Sequence, residues 1–303
     1  MQKRYTNDFF IRRGMKVRDI MEEFSKAGFS ARALGEALEV YHKMLQDKGC
    51  VKILSIAGAL VPAGMRNVFL EAINNKLIDI IVITGANLTH DLIESFGIRH
   101  EQGDAEADDV ELAKKNINRI YDIYLPNKGY LVLEDKLQEI LKKLPQKTFS
   151  PNKFLRELGK HVKDRRSIIR ACFKNKVEIF CPSITDSILG FQVWMYSQDH
   201  KLQVNPQLDT RDFLDLVWKN KKYGLIILGG GVPKNFVNIM MQVSGKSLNY
   251  AIQITTDRPE YGGLSGAQLK EAKSWKKVAA NALTADVVCD ATIAFPLLVA
   301  SLI

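Results

Sequence analysis

Glu271, Trp275 and Lys277 are the residues whose types and spacing suggest chemistry. They lie in the segment Gly262–Lys277, which we interpret as a Gly/Ser turn followed by a short polar helix that begins near Ala267. Trp offers a π-face to an ammonium group and Glu pairs with it, whereas an amine desolvated beside Trp can attack an imine carbon. The residues equally fit a surface helix with one half-buried Trp, and alone they favour that simpler interpretation.

The composition of the chain limits its class. With 303 residues, of which 46% are apolar, the chain can bury a full core as one large α/β domain or as two smaller ones. The net charge of +9 would allow an acidic partner such as nucleic acid or an acidic protein. Because no tract of Lys and Arg is interleaved with aromatic residues, we interpret the charge as a solvated surface and expect no nucleic-acid partner.

Cysteine spacing and the first residues indicate the compartment. The cysteines show no C-x-x-C spacing, so they are typical of reduced residues in an intracellular protein; they are Cys50, Cys172, Cys181 and Cys289. The acidic stretch over 102–111 fits no calcium loop, so we expect a solvated loop and no metal site. Residues 1–8 have no apolar signal core, and no apolar run is long enough to span a membrane. We therefore expect a cytoplasmic protein with no membrane partner.

The hydrophobic pattern predicts an N-terminal helical arm over 1–48 and alternating strands and helices after it. In the arm, Ser30 is a candidate cap for a helix over Ala31–Leu45. The predicted strands are Val51–Ala57, Leu77–Thr84, Val177–Phe180, Tyr223–Leu228, Asn249–Thr255 and Ala285–Cys289. The predicted helices between and after them include Gly64–Lys76, Asn87–Phe96, Leu133–Leu144, Phe154–Val162, Ser167–Lys174, Asp209–Lys219 and Ile293–Ile303. This alternation implies parallel strands joined by crossover helices.

Ligands of such sheets bind beyond the carboxyl ends of the strands. That rule points to the loops Gly58–Gly64 and Thr84–Asn87, and to the glycine triplet Gly229–Gly231, whose following helix can aim its N-terminus at an anion. None of the loops contains the G-x-G-x-x-G fingerprint of ordinary dehydrogenases. His90 follows one of the loops; it is either a polar helix residue near the surface or a site residue that accepts or relays a proton.

The order of residues in the segment Gly262–Lys277 resembles that of a known protein family. Ser-Gly-Ala followed by Glu-Ala-x-Ser-Trp-x-Lys resembles the active-site segment of deoxyhypusine synthase, in which the last Lys, here Lys277, carries a covalent imine. The neighbouring Lys276 stands where that family usually has Gly. The resemblance extends from about Val17 to the end of the chain and is most specific at Ser-Trp-x-Lys, the glycine triplet, Thr185-Asp186 and Asp290-Ala291.

The resemblance implies NAD as cofactor and a homotetramer built from dimers, with NAD sites at a dimer interface. It places the NAD contacts at Thr84, Gly85, Ala86, Asp186, Gly230, Thr256, Asp290 and Ala291. For Asp186, a helix N-cap is the alternative role. We predict a doubly wound, mainly parallel α/β fold of Rossmann-like type, with the arm over 1–48 and a single NAD-binding unit over 49–303.

The polyamine side of the implied site departs from the family pattern. The resemblance places substrate contacts at Glu271, Trp275, His90, Asn235, Gln253 and Ser265. Asn235 stands where the family has His and Gln253 where it has Tyr, whereas Phe191, Tyr261 and Leu264 replace acidic residues that hold the amines. The residues at these positions resemble those of the divergent deoxyhypusine-synthase-like branch of the family. Some members of that branch resemble homospermidine synthases.

The implied activity is NAD-dependent aminobutyl transfer from spermidine or a related polyamine. One acceptor is a lysine of the hypusine-containing translation initiation factor, and the alternative is a small diamine such as putrescine. A third hypothesis is a non-catalytic protein that binds NAD or polyamine. Retention of Lys277, Glu271 and Trp275 argues against that third hypothesis.

Overall fold

The computed structural model describes residues 5–303, so the first four residues of the predicted arm lie outside the described residues. The chain divides into two compact units. The first unit comprises the described residues up to Ile56, together with Asn75–Ile80 and Phe213–Ile303. The second unit comprises Ala57–Asn74 and Ile81–Asp212.

The described residues form the following strands and helices. The strands are β1 Cys50–Ile56, β2 Ile80–Ile83, β3 Glu101–Gln102, β4 Ile117–Ile120, β5 Ile123–Pro126, β6 Thr148–Phe149, β7 Glu178–Phe180, β8 Gln203–Val204, β9 Lys222–Leu228, β10 Leu248–Thr255 and β11 Val278–Val288. The helices are α1 Val17–Lys26, α2 Phe29–Gln46, α3 Arg66–Asn74, α4 Gly85–Ser95, α5 Asp109–Lys114, α6 Lys128–Leu141, α7 Pro151–His161, α8 Ile168–Asn175, α9 Ile188–Ser197, α10 Gln207–Lys219, α11 Gly231–Val243, α12 Leu269–Ser274 and α13 Ala291–Leu302.

The first unit contains parallel strands in the order β11, β10, β9, β1. Ile226 of β9 is paired with both Leu54 of β1 and Ile252 of β10, and all three side chains are fully buried. Strands that are covered on both faces read as continuous apolar runs, and β1 and β9 have that character. The predicted mainly parallel α/β fold is confirmed.

Helices cover this sheet. α2 packs against β10 and β11, and α11 packs against β1, so the predicted arm lies on the sheet of the first unit. The predicted cap of its second helix is wrong, because α2 begins one residue before Ser30 and its N-cap is Gly28. The last strand begins at Val278, well before the predicted Ala285, because the backbone of β11 pairs along nearly the whole of β10. Residues 279–282 have no partners on β10 and form an irregularity between the Leu248–Val278 pair and the regular pairing from Leu283 onward, an interruption that apolar periodicity does not predict.

The second unit surrounds α4 with helices. α4 packs against α6, α8 and α9, and β2 and β7 are neighbouring strands. β3, β5 and β4 form a small antiparallel sheet, and β6 pairs with β8 in parallel. These contacts place the start of α4 close to the start of α9, which is the feature that organises the candidate site in this unit.

Two observations concern ligands and membranes. Over residues 5–303, no group of three or more His, Cys, Asp or Glu side chains is arranged to hold a metal ion. The acidic stretch instead contributes a helix cap, since Asp108 accepts hydrogen bonds from the backbone of Val110 and Glu111 at the start of α5. None of the helices within the described part of the chain combines the length and apolar character required to cross a membrane.

Candidate functional site

The end of α12 fixes the backbone of Lys277. The N–H of Lys277 donates to the carbonyl of Ala272, and the N–H of Lys276 donates to that of Lys273, both at 3.0 Å. This pair of bonds is the Schellman motif, in which the residue after the C-cap takes a left-handed conformation. Lys276 occupies that position with φ of +57°, which explains why glycine suits it. Lys277 then leads directly into β11, and its carbonyl accepts from Leu248 at the start of β10.

The side chain of Lys277 lies over an aromatic ring. Its Nζ atom is 4.7 Å from the centroid of the Trp275 ring, within the range of a cation–π contact. Trp275 is 54% exposed, and Glu271 is exposed one turn earlier on α12. The three residues predicted to act together are therefore presented on one helix and its C-terminal turn, with one π-face, one amine and one carboxylate open to a ligand.

A second amine, Lys234 on α11, is buried near Lys277. Its Nζ atom donates to the carbonyls of Leu264 (2.8 Å) and Ala267 (2.7 Å). Burial lowers the pKa of Lys234 to about 8, against the opposing charges of Asp286 and Glu271, and the charge of Lys277 lowers it further. Lys234 was not among the predicted site residues. Its place in the Gly-Gly-Gly-Val-Pro-Lys sequence is the signal that could have identified it.

Ser265 forms hydrogen bonds that connect its own loop to the start of α11 and to β10. Its Oγ accepts from the N–H of Gly231 at 3.2 Å, and its carbonyl accepts from Nε2 of Gln253 at 2.8 Å. A Cβ atom added at Gly230 would lie 2.5 Å from Cα of Ser265. Gly230 is therefore required because the loop that carries Ser265 packs directly against it.

Gln253 and Asn235 offer polar groups that the chain does not use. Gln253 on β10 is 1% exposed, and its Oε1 atom is buried without a hydrogen-bond partner among the described residues. A buried carbonyl oxygen in this state is costly unless a ligand or water supplies a donor. Asn235 is half-buried on α11, and no hydrogen bond of its side chain is found within residues 5–303. Both residues suit contact with an ammonium group.

The NAD contacts predicted in the first unit follow the carboxyl ends of adjacent parallel strands. Gly230 follows β9, Thr256 follows β10, and Asp290 with Ala291 follows β11. Neighbouring parallel strands end at one edge of a sheet, so these residues share that edge. Asp290 also caps α13, because its Oδ1 accepts from the N–H of Thr292 at 2.7 Å and from its Oγ1 at 2.6 Å.

The remaining predicted NAD contacts lie in the second unit at the start of α4 and before α9. Thr84 is the N-cap residue of α4, Gly85 is buried and Ala86 is exposed. A Cβ atom at Gly85 would overlap Ser187, so this glycine lets α4 and α9 approach each other. The alternative role of Asp186 as an N-cap is wrong: Ser187 caps α9, accepting from the N–H of Gly190 at 3.1 Å. Asp186 is left exposed.

Each unit has features that fit part of a dinucleotide. α11 in the first unit and α4 in the second each begin shortly after a strand and present first-turn N–H groups of the kind that bind phosphate. The exposed carboxylate of Asp186 suits ribose hydroxyls.

His90 is buried, so its interpretation as a surface residue of α4 is wrong. It is 8% exposed, and its Nδ1 atom lies 2.9 Å from Nε2 of His100. The Nδ1 atom of His100 lies 2.7 Å from Oε1 of Glu94. Burial, helped by His100 and opposed by Glu94, lowers the pKa of His90 to about 4. No sequence spacing predicts that His100 contacts His90. Glu94 could have been predicted to lie near His90, because it follows His90 by one helical turn.

The positions that depart from the family's carboxylates are all exposed. The exposed fractions are 48% for Phe191, 77% for Tyr261 and 37% for Leu264. Each of these three side chains is therefore accessible to solvent and to a ligand.

The family-model and sequence comparisons point to one family. The family model described as deoxyhypusine synthase matches residues 19–302. The chain is 41% identical over 287 residues to "Probable deoxyhypusine synthase 1" of Methanosarcina mazei, covering 95% of this chain and 90% of that protein. It is 40% identical over 293 residues to "Probable deoxyhypusine synthase 1" of Archaeoglobus fulgidus, covering 97% and 96%. A crystal structure of a candidate deoxyhypusine synthase from Entamoeba histolytica has the same fold, with a TM-score of 0.67, 20% identity and coverage of 95% and 93%.

Proposed function

The chain belongs to the deoxyhypusine synthase family, and from that premise we propose that it transfers an aminobutyl group from a polyamine through an imine on Lys277. The observation that carries the proposal is the position of the Lys277 Nζ atom over the Trp275 ring, close to the buried amine of Lys234. A lysine in such surroundings is suited to form a covalent imine with a substrate carbon.

NAD would supply reversible hydride chemistry at the carbon beside the secondary amine of spermidine, so that the cycle would have no net oxidation. The Nζ atom of Lys277 attacks the resulting C=N carbon and forms a bond to it. Diaminopropane leaves with the electrons of its C–N bond and a proton, and the butyl group stays on Lys277 as an imine. An acceptor amine then attacks the same carbon, and Lys277 leaves as a free amine.

Groups of the first unit hold the substrate in this proposal. Trp275 and Glu271 receive one ammonium group through a cation–π contact and a charge-assisted hydrogen bond. The buried Oε1 atom of Gln253 accepts an N–H from the substrate, which relieves its lack of a partner. Within the first unit, the N–H groups at the start of α11 and the carboxylate of Asp290 would hold NAD, and within the second unit the start of α4, Thr84 and Asp186 would do so.

The acceptor we propose is a lysine of the hypusine-containing translation initiation factor. Similarity to relatives named as deoxyhypusine synthases, at 41% and 40% identity, supports this choice. The alternative acceptor is a small diamine such as putrescine, which yields homospermidine. The residues that favour the alternative are Asn235 and Gln253, which replace the family's His and Tyr.

We also propose a homotetramer. α11 carries Val232, Ile239 and Val243 on one face, at 48%, 38% and 61% exposure, and an apolar stripe of this spacing suits a helix-to-helix interface. Light scattering of the NAD-bound protein tests this assembly, and a stable monomer would contradict it.

The experiment for the function uses the full chain with NAD and labelled spermidine. Borohydride should trap label on the wild type and not on Lys277→Arg, which keeps the charge but forms no imine. NAD should still bind to Lys277→Arg. The matched control is Lys276→Arg, which should trap label like the wild type. Label that persists in Lys277→Arg and disappears in Lys276→Arg would move the nucleophile by one residue.

Adding each acceptor separately distinguishes the hypotheses. Label on the initiation factor supports deoxyhypusine synthase activity, whereas labelled homospermidine supports the diamine alternative. A protein that binds NAD or polyamine and yet traps no label would be a non-catalytic homologue, and the proposed transfer would be wrong.

A further inference from the structure

Three side chains of the second unit, two of them buried and Glu94 half-buried, are connected in series. Glu94 contacts His100 at 2.7 Å, and His100 contacts His90 at 2.9 Å. The side chains of His100 and Glu94 are 4% and 22% exposed, and His90 as a residue is 8% exposed. Among the contacts of the described residues, the Nε2 atom of His90 has no hydrogen-bond partner. The series therefore has one free end, and that end is a ring nitrogen.

The carboxylate sets the direction of every hydrogen bond in the series. An ionised Glu94 only accepts, so Nδ1 of His100 must carry the proton between them. A neutral His100 then has its lone pair on Nε2, and the 2.9 Å contact requires a proton on Nδ1 of His90. The Nε2 atom of His90 is left with a lone pair. The free end of the neutral series is consequently a proton acceptor.

Neighbouring charges keep Glu94 ionised. Nη1 of Arg66 lies 3.4 Å from Oε2 of Glu94, and Arg66 is itself paired with Asp91 and Asp164. Burial works against ionisation, but the hydrogen bond from His100 and the charges of Arg66 and Arg166 hold the pKa of Glu94 below its usual value. These are the charged groups that face the series from α3, from α4 and from the segment before α8.

We propose that Glu94, His100 and His90 form a proton relay whose accepting end is Nε2 of His90. When a proton binds to this atom, the proton on Nδ1 of His90 moves to Nε2 of His100. The positive charge then lies on the imidazolium of His100, which is paired with Glu94. The reverse movement returns the shared proton to Nδ1 of His90, and the proton on Nε2 of His90 is released, so the relay stores and releases one proton without any net change.

The use of the relay rests on the proposed function. A secondary ammonium must lose one proton before hydride can leave the neighbouring carbon, and the departing diaminopropane must later gain one. The relay has the chemistry to take up one such proton and to release it again. The low pKa of His90 fits this task, because His90 passes the charge on and does not hold it.

The first test does not depend on any activity. Long-range proton–nitrogen NMR of the histidine-labelled full chain identifies the tautomer of each ring, with assignments from single His→Gln variants. We expect both His90 and His100 in the Nδ1–H form when neutral, whereas free imidazole side chains prefer Nε2–H. A neutral His90 in the Nε2–H form would overturn the relay, whatever the chain catalyses.

The second test measures turnover against pH. His100→Gln can still form hydrogen bonds but cannot pass a proton, and we expect kcat to fall about 10²-fold with little change in KM. The loss should shrink at high pH, where the substrate amine arrives neutral. The matched control His200→Gln, a ring stacked on Tyr196, should keep its activity. An unchanged pH profile in His100→Gln would overturn the relay, while the trapping experiment on Lys277 judges the transfer reaction separately.

Discussion

The Nζ atom of Lys277 lies 4.7 Å from the centre of the Trp275 ring, and the turn between them is closed by a left-handed Lys276. The Schellman motif at the end of α12 produces this pairing, because it reverses the chain within two residues. The amine is therefore positioned mainly by backbone geometry, and the indole ring covers one side of it.

Replacing Trp275 should weaken polyamine binding. Trp275→Leu removes the π-face, and we expect a loss of about 0.5–2 kcal/mol in binding free energy, with Trp275→Phe retaining part of it. Isothermal titration with spermidine measures the change. Trp218→Leu is the control, because Trp218 is similarly exposed, at 56%, on α10. Equal losses in the two Leu variants would argue against a specific role of Trp275.

Lys276→Gly should stabilise the folded chain. A side chain at a φ of +57° is strained, and glycine relieves the strain, so we expect a gain of about 1 kcal/mol in the free energy of unfolding. The control Lys270→Gly lies inside α12 and should lose about 1 kcal/mol. Urea unfolding measures both. A destabilised Lys276→Gly variant would show that the left-handed turn is not what this position requires.

Asp91→Asn should be strongly destabilising. The fully buried carboxylate accepts from Nε of Arg66 at 2.7 Å and from the hydroxyl of Ser167 at 2.8 Å. The Asn amide puts an NH₂ group where a carboxylate oxygen accepts, so buried donors of Arg66, of Ser167 or of the start of α8 lose their partner, which costs about 3 kcal/mol or more. Glu36→Gln breaks the exposed Arg32–Glu36 pair and should change stability by less than about 0.5 kcal/mol. Similar unfolding midpoints for both variants would refute this account.

Burial of His90 should make stability fall in acid. Its folded pKa of about 4 lies below the ordinary 6.5, so the unfolded state binds more protons between these values. Stability contributed by this site is present above pH of about 6.5 and is lost as the pH falls toward 4, by up to about 3 kcal/mol. Asp209 acts oppositely, because burial raises its pKa to about 7.

Because Asp209 has the opposite effect on stability, the contribution of His90 is measured as the difference in unfolding free energy between the wild type and a His90 variant. Unfolding free energies of wild type and His90→Gln are compared across this pH range, with His161→Gln as control. The advantage of His90→Gln over the wild type should grow as the pH falls. A constant difference would contradict the buried, neutral state of His90.

Phe191→Asp should strengthen spermidine binding. Phe191, Tyr261 and Leu264 stand where the resemblance places acidic residues, and each missing charged hydrogen bond is worth about 1.5–3 kcal/mol. We expect the wild type to bind spermidine weakly and to favour a substrate with one cationic end and an uncharged or carboxylated other end. Asn235 would contact that other end.

A panel of polyamines with acylated or carboxylated analogues, scored by NADH formation on the enzyme, measures this preference. The control Trp194→Asp adds the same charge to the same helix and should not strengthen spermidine binding. If spermidine is bound tightly and best, and Phe191→Asp does not improve it, the altered-pocket hypothesis is wrong.

The sequence by itself determined the features that depend on local periodicity. Apolar runs predicted β1, β9 and β10 within a residue or two, and the helical spacing of Glu271, Trp275 and Lys277 placed them on one short helix and its end. Short-range geometry follows from the helical and strand repeats and from turn chemistry, so it can be read without knowing the rest of the fold.

Tertiary structure decided which distant groups meet. The burial of Lys234 comes from a loop thirty residues later along the chain, and the unpartnered oxygen of Gln253 follows from the way Ser265 lies against it. The contact between His90 and His100 requires the chain to turn back after α4. Such contacts depend on packing between elements, which sets the hydrogen-bond partners and desolvation of each group and leaves no periodic trace in the sequence.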